Sequence, residues 1–278
     1  MKNKFDILME SYEENIDTHI NNLIGWIKTE FSKTGAKGAV VGMSGGIDCC
    51  VTARLLNLAD IPTTVVMMPY GNSMDLSGDR LHAKTFIYKF GLNDSEIDIT
   101  KTVDELIRVS KMGSCILDRT EGSTKTTNIP ITNEAINNIK PRVRMTALYT
   151  LGQSMECLVV GTGNLSERML GYFTKWGDGA CDINPIGNLT KTQVRIIAKH
   201  IGIPDEIINK APSANLVEGQ TDEDDLGMTY YDIDRYILTK EGSKEVIVRF
   251  NKIHNKIQHK LDPIPTYNQA IYTNREEI

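Results

Sequence analysis

No C-x-x-C pair occurs among the five cysteines, Cys49, Cys50, Cys115, Cys157 and Cys181, and an odd number cannot pair fully within one chain. A disulfide framework is not expected, and a reducing, cytoplasmic setting fits best. The chain also lacks any apolar run long enough to span a bilayer, and its first residues lead into acidic, amphipathic sequence without a signal-peptide core. Secretion and membrane insertion are not expected, so the N-glycosylation patterns at Asn164-Leu165-Ser166 and Asn188-Leu189-Thr190 carry no weight. There is no basic stripe: the net charge is −5 and the cations are scattered, which argues against nucleic acid as a partner. Neither a P-loop ending in Gly-Lys-Ser/Thr nor a G-x-G-x-x-G is present, since residues 161–166 read Gly-Thr-Gly-Asn-Leu-Ser. A GTPase-type loop and a dinucleotide fingerprint are both disfavoured. His82 and His200 have no partner at metal-ligand spacing.

What is present is an alternation. With 278 residues, 40% of them hydrophobic, the chain can build one α/β domain with added helices. Ile16, Ile20, Leu23, Ile24 and Ile27 recur at helical spacing, so residues 8–31 read as an amphipathic helix that could cover a sheet edge. Apolar or β-branched runs at 38–43, 63–68, 95–99 and 156–161 read as strands, and the segments 48–58, 77–90, 101–111 and 133–152 read as helices. Thr102 and Glu105 suit a capping box, and Pro141 marks a kink or restart. Residues 113–132 have no apolar period and read as a long loop; with 211–225 their composition fits mobile lids. Further helices are expected near 190–202, 204–210, 229–238 and 243–259. Strands alternating with helices predict a parallel sheet wound on both faces. We divide the single domain into an N-terminal helical extension (1–36), an α/β nucleotide-binding core (37–200) and a helical C-terminal part (201–278).

The strongest local signal is Gly42-Met43-Ser44-Gly45-Gly46-Ile47-Asp48, placed between a strand and a helix. Glycines let the backbone turn so that successive N–H groups face one point, and the helix N-terminus adds partial positive charge there. A phosphate chain suits such a cradle. Asp48 by itself could be a helix cap, and Glu167, Lys191 and Arg142 taken singly read as solvated surface side chains.

The Ser-Gly-Gly-x-Asp core resembles the PP-loop of ATP pyrophosphatases, which cleave ATP between its α and β phosphates. Gly161 to Glu167, followed by Gly171-Tyr172-Phe173-Thr174-Lys175-Trp176-Gly177-Asp178-Gly179, closely resembles the signature of NAD synthetases. The likeness continues through Asp182, Asn184-Pro185-Ile186, Leu189-Thr190-Lys191, Pro212-Ser213-Ala214, Gln220-Thr221-Asp222-Glu223 and His259-Lys260. The resemblance implies a Rossmann-like fold of the adenine-nucleotide alpha-hydrolase type. It also implies an ammonia-dependent ligase that turns deamido-NAD into NAD through an acyl-adenylate, releasing AMP and pyrophosphate. Carried over by position, ATP meets Gly42, Met43, Ser44, Gly45, Gly46, Ile47, Asp48, Cys49, Thr162, Lys191 and Ser213. Asp48 and Glu167 match the Mg²⁺ carboxylates. Arg142, Lys175, Asp182, His259 and Lys260 match positions that hold deamido-NAD, the last two reaching across a homodimer interface. Asp48 and Lys191 are expected in the catalytic machinery, and Asp178 is the candidate proton acceptor for the incoming ammonia.

The sequence departs from the family at three places. Cys49 replaces a usual serine, which weakens one phosphate donor and sets a thiol at a helix N-terminus, where alkylation sensitivity is expected. Asn215 stands where aspartate is common, and Met67 where some members carry arginine. The competing readings are another PP-loop enzyme, such as a tRNA thiolase, and a nucleotide-binding protein with weakened catalysis.

Overall fold

The computed structural model describes residues 2–113, 115–120, 123–210 and 221–267, with backbone alone for most of 115–128. Its strands are β1 (Gly38–Gly42), β2 (Thr63–Met67), β3 (Asn93–Glu96), β4 (Cys115–Thr120), β5 (Ser123–Asn128) and β6 (Cys157–Val160). β1, β2, β3 and β6 form one parallel sheet in the order β3-β2-β1-β6. Side chains alternate across it as a period of two requires. Ala39, Val41, Val65, Met67 and Val160 enter the core on one face, whereas Val40, Val66 and Met68 enter the core on the other. Helices cover both faces, as expected for a doubly wound sheet.

On the first face lie α1 (Lys4–Glu14), α2 (Ile16–Thr34) and α3 (Ile47–Leu58). The expected single N-terminal helix is two, interrupted at Asn15, and α2 packs on α3 through Ile20, Ile27 and Phe31 instead of capping a sheet edge. After β2 come the short α4 (Ser73–Leu76) and α5 (Asp79–Phe90). The opposite face is covered by α6 (Thr100–Gly113) and, beyond α7 (Asn133–Asn137), by α8 (Ile139–Met155). α6 starts two residues before the expected box because Asp98 Oδ1 accepts from Thr100 N at 2.8 Å, an earlier stop for an orphan donor. Pro141 sits in the first turn of α8, where its missing N–H costs no helical bond, so the helix restarts there without a kink.

The expected long loop at 113–132 is instead the antiparallel hairpin β4-β5. The 113–132 stretch carries no apolar alternation, so sequence pattern could not mark the two strands. After β6 the chain forms α9 (Leu165–Leu170), α10 (Lys191–His200), α11 (Asp205–Ile208), α12 (Asp222–Leu226), α13 (Tyr230–Thr239), α14 (Lys244–Lys256) and α15 (Gln258–Leu261). Leu170, Leu226, Tyr230, Ile233 and Phe250 bind α9 and α12 to α14 into a smaller core beside the sheet.

The strand order fixes where ligands sit. Chain connections leave β1 toward β2 on one side, while β6 returns on the other, so the crevice between their C-terminal ends is a topological switch point. The loops 43–46 and 161–164 both open there.

Candidate nucleotide and cation site

Gly45 adopts φ +82°, a left-handed conformation, and a Cβ there would lie 2.3 Å from the carbonyl oxygen of Asp79. Only glycine lets the loop turn this sharply against the start of α5. Gly46 is the N-cap of α3, which places the unpaired N–H groups of the helix's first turn at the loop's mouth. Asp48 lies in that turn, facing away from the helix.

Two further helix starts bring partners to it. Asn164 caps α9 in a reciprocal box: its Oδ1 accepts from Glu167 N at 3.0 Å, and Glu167 Oε2 accepts from Asn164 N at 3.2 Å. The free end of the same amide, Asn164 Nδ2, donates to Asp48 Oδ1 at 3.0 Å. Thr190 and Gln193 form a second box that starts α10 at Lys191. Lys191 Nζ reaches Asp48 Oδ2 at 2.5 Å and Glu167 Oε1 at 3.5 Å. The two helix starts are locked together by Asp234, which takes a hydrogen bond from Ser166 Oγ at 2.5 Å and from Thr192 N at 2.7 Å.

Lys191 is 2% exposed, so it is not the surface cation it resembles in isolation. Burial alone would lower its pKa, but Asp48 and then Glu167 outweigh that, and the ammonium stays charged. Burial, then the charge of Asp48, pushes the Glu167 carboxyl up from 4.5 to about 8 despite Lys191. One ammonium therefore leaves this carboxylate pair under-compensated. Two hard oxygen donors with unbalanced negative charge, beside an anion cradle, fit a magnesium ion shared with phosphates.

Cys49 Sγ turns inward. It donates to Gly46 O at 3.1 Å and lies 3.4 Å from Ser44 Oγ and 3.5 Å from Met43 Sδ, so it braces the loop from below. Its thiol is lowered to about 7, chiefly by the hydrogen bond with Cys50, but at 4% exposure it is shielded. Burial works against the expected alkylation sensitivity.

A second group gathers on the loop after α9. Asp178 accepts from Thr174 N at 3.0 Å, and desolvation by the surrounding chain raises its carboxyl above the usual range although the residue as a whole is exposed. Lys175 Nζ donates to the His259 carbonyl, and Arg142 Nε to the Lys175 carbonyl at 3.4 Å. Lys260 Nζ donates to the carbonyls of Gly171 and Phe173, both at 2.7 Å. Asp182 lies apart, receiving Val159 N at 2.8 Å and Tyr149 Oη at 3.2 Å beside β6. Thr162 lies half-buried in the loop after β6. Ser213 and Asn215 lie outside the described residues.

Several members of this arrangement were not singled out from sequence: Asn164, Ser166, Asp234 and Arg144. Arg144 Nε donates to Met68 O at 3.1 Å at the C-terminal end of β2, and its charge faces Asp178. The Asn-x-x-Glu spacing at 164–167 was a readable capping signal, whereas Asp234 sits 68 residues from Ser166 and has no local mark.

A family model described as NAD synthase matches residues 19–269. The NH(3)-dependent NAD(+) synthetase of Carboxydothermus hydrogenoformans is 39% identical over 248 residues, covering 88% of this chain and 95% of that one. The solved NMN synthetase of Francisella tularensis superposes with a TM-score of 0.81 at 33% identity, covering 91% and 98% of the two chains. The NAD+ synthetase of Burkholderia pseudomallei superposes with a TM-score of 0.68 at 25% identity, covering 88% and 89%.

Proposed function

The chain belongs to the NAD synthase family, and from that premise we propose that it is an AMP-forming ligase converting deamido-NAD to NAD with ATP and ammonia. The observation that carries this reading is the convergence of Asp48, Glu167 and Lys191 at the mouth of the 43–46 loop. The same convergence gives the weakened nucleotide-binding alternative no support. A tRNA-modifying alternative is disfavoured by the acidic net charge.

A nicotinate carboxylate is a poor acceptor for ammonia, which would form a salt with it, so it must first be activated. Attack of that carboxylate on the α-phosphorus of ATP gives an acyl-adenylate and pyrophosphate. The N–H groups of residues 44–48 and the Lys191 ammonium face the charge that moves onto the leaving group. Asp48 and Glu167 would hold Mg²⁺, which supplies Lewis-acid neutralisation of phosphate charge when bound. Ammonia then attacks the mixed anhydride and expels AMP. Asp178, whose carboxyl is made more basic by desolvation, is the proton acceptor in this step. Thr162 and Ser213 complete the ATP contacts, with Cys49 contributing its backbone N–H from the first turn of α3 while its thiol stays beneath the loop. Arg142, Lys175, Asp182, His259 and Lys260 serve the second substrate, with the 259–260 pair completing a partner's site in a homodimer. Among the described residues no helix is long and apolar enough to cross a membrane.

A second reading of the acceptor is favoured by one observation: the Francisella NMN synthetase superposes better, at 0.81, than the Burkholderia NAD+ synthetase, at 0.68. Amidation of nicotinate mononucleotide uses the same chemistry on a smaller acceptor. Incubation with ATP, Mg²⁺ and ammonium plus either deamido-NAD or nicotinate mononucleotide separates the two. The primary reading expects NAD, AMP and pyrophosphate from deamido-NAD with the higher kcat/KM, and faster turnover of the mononucleotide overturns it.

A further inference from the structure

Asp222 begins α12 and is 4% exposed, in a place where a carboxylate is costly to bury. Its Oδ2 accepts from Tyr230 Oη at 3.1 Å. Tyr230 is 1% exposed, and its ring centroid lies 5.3 Å from Lys191 Nζ. Asp222 therefore holds the hydroxyl of the ring over whose face lies the ammonium that bridges Asp48 and Glu167. Behind burial and Asp48 at Glu167, and behind Asp48 and Glu167 at Lys191, where burial acts the other way, the charge of Asp222 also raises each. Thr221 caps α12 in a reciprocal box with Asp224, and Glu223 Oε1 accepts from Tyr230 N at 2.7 Å, so neighbouring acidic residues hold the turn while Asp222 points inward.

Resting on the reading of Asp48 and Glu167 as the cation pair, we propose that Asp222 is a third carboxylate of that site. It acts through space across Tyr230 and sets the site's charge for a divalent ion. Three carboxylates against one ammonium leave two negative charges in excess when all are ionised, and one divalent cation cancels them. Asp234 also faces Lys191, but Ser166 Oγ at the start of α9 and Thr192 N at the start of α10 donate to its two oxygens, and burial raises its carboxyl against the charged form. Asp222 is a positioning residue, since it acts through the charge balance around Asp48, Glu167 and Lys191 and not as a ligand. At this range a full charge still counts because the intervening medium is protein.

The test uses opposite signs. Mn²⁺ is titrated into full-length protein carrying stoichiometric α,β-methylene-ATP, with free Mn²⁺ read by electron paramagnetic resonance. Binding of the same nucleotide is measured separately in excess EDTA by calorimetry. Asp222→Asn is expected to weaken Mn²⁺ binding about tenfold while metal-free nucleotide binds as well as, or more tightly than, to the wild type. A merely structural role would weaken both. Tyr230→Phe, which keeps the charge and removes the hydrogen bond, is expected to hold Mn²⁺ within about threefold of the wild type. Should Asp222→Asn fail to fold, Asp222→Thr replaces it in both measurements. Unchanged Mn²⁺ affinity in the neutral variant, or parallel loss of Mn²⁺ and metal-free nucleotide, overturns the proposal. Asp48→Asn serves as the separate control: if it leaves Mn²⁺ binding intact, the cation-pair reading itself fails.

Discussion

Asp48 and Lys191 stand 143 residues apart in the chain and 2.5 Å apart in the fold. Each is in the first turn of its own helix, and both helices start at the end of the sheet where β1 and β6 diverge. The ion pair is thus a product of topology.

Replacing Lys191 by alanine removes the buried ammonium that offsets a half-buried carboxylate pair. Breaking such a pair costs about 3 kcal/mol, at the low end of the usual range because Glu167 can take up a proton. Chemical denaturation without metal should show this loss, and millimolar Mg²⁺ should recover part of it. An unchanged midpoint would contradict the arrangement.

The pH dependence follows from Glu167, whose pKa rises from 4.5 to about 8 on folding. A carboxyl raised on folding contributes stability that is fully present below 4.5 and is lost as pH rises through 8. Lys191 is raised from 10.5 and stays charged across this window, so it adds no slope there. The melting temperature of metal-free protein should therefore carry a downward Glu167 contribution from pH 5 to 8. The Glu167→Gln variant should show a shallower fall than the wild type. Mg²⁺ should stabilise the wild type more at pH 8 than at pH 6.

Gly45→Ala sets a methyl against the Asp79 carbonyl at a backbone angle that L-residues avoid. The loop must open, so nucleotide affinity should fall at least about tenfold, measured by calorimetry, with the melting temperature reported alongside. Wild-type affinity in Gly45→Ala would show that the turn is not the cradle.

Cys49 should resist thiol reagents in the native state because its Sγ is enclosed by Gly46, Ser44 and Met43. Half-exposed Cys157 and Cys181 should be modified first, even though burial raises both thiols. Peptide mapping after a short iodoacetamide pulse checks the order. Faster labelling at Cys49 would mean that the loop opens readily.

Much of this was legible in sequence because it is local. The strand, turn and helix around residues 38–58 announce themselves through apolar runs and glycines, and the 161–179 motif is contiguous. What sequence could not mark depends on distant partners. Lys191 reads as a surface lysine until α10 is docked on α9 by Asp234. Asp222 reads as one residue of an acidic run until Tyr230 turns it inward. The β4-β5 hairpin escaped because its sequence has no apolar alternation. The N-terminal break at Asn15 escaped because the apolar spacing continues through it.

On the proposed function, this loop and its three charged partners direct cleavage of ATP between the α and β phosphates. Wild type, Asp48→Asn and Lys191→Ala, incubated without ammonium with α-labelled and γ-labelled ATP, Mg²⁺ and deamido-NAD, give the most direct reading in a single turnover. The account predicts stoichiometric pyrophosphate and an enzyme-bound adenylate from the wild type, and at least about a hundredfold slower formation in both variants. Release of ADP and phosphate, or variants as fast as the wild type, would contradict it.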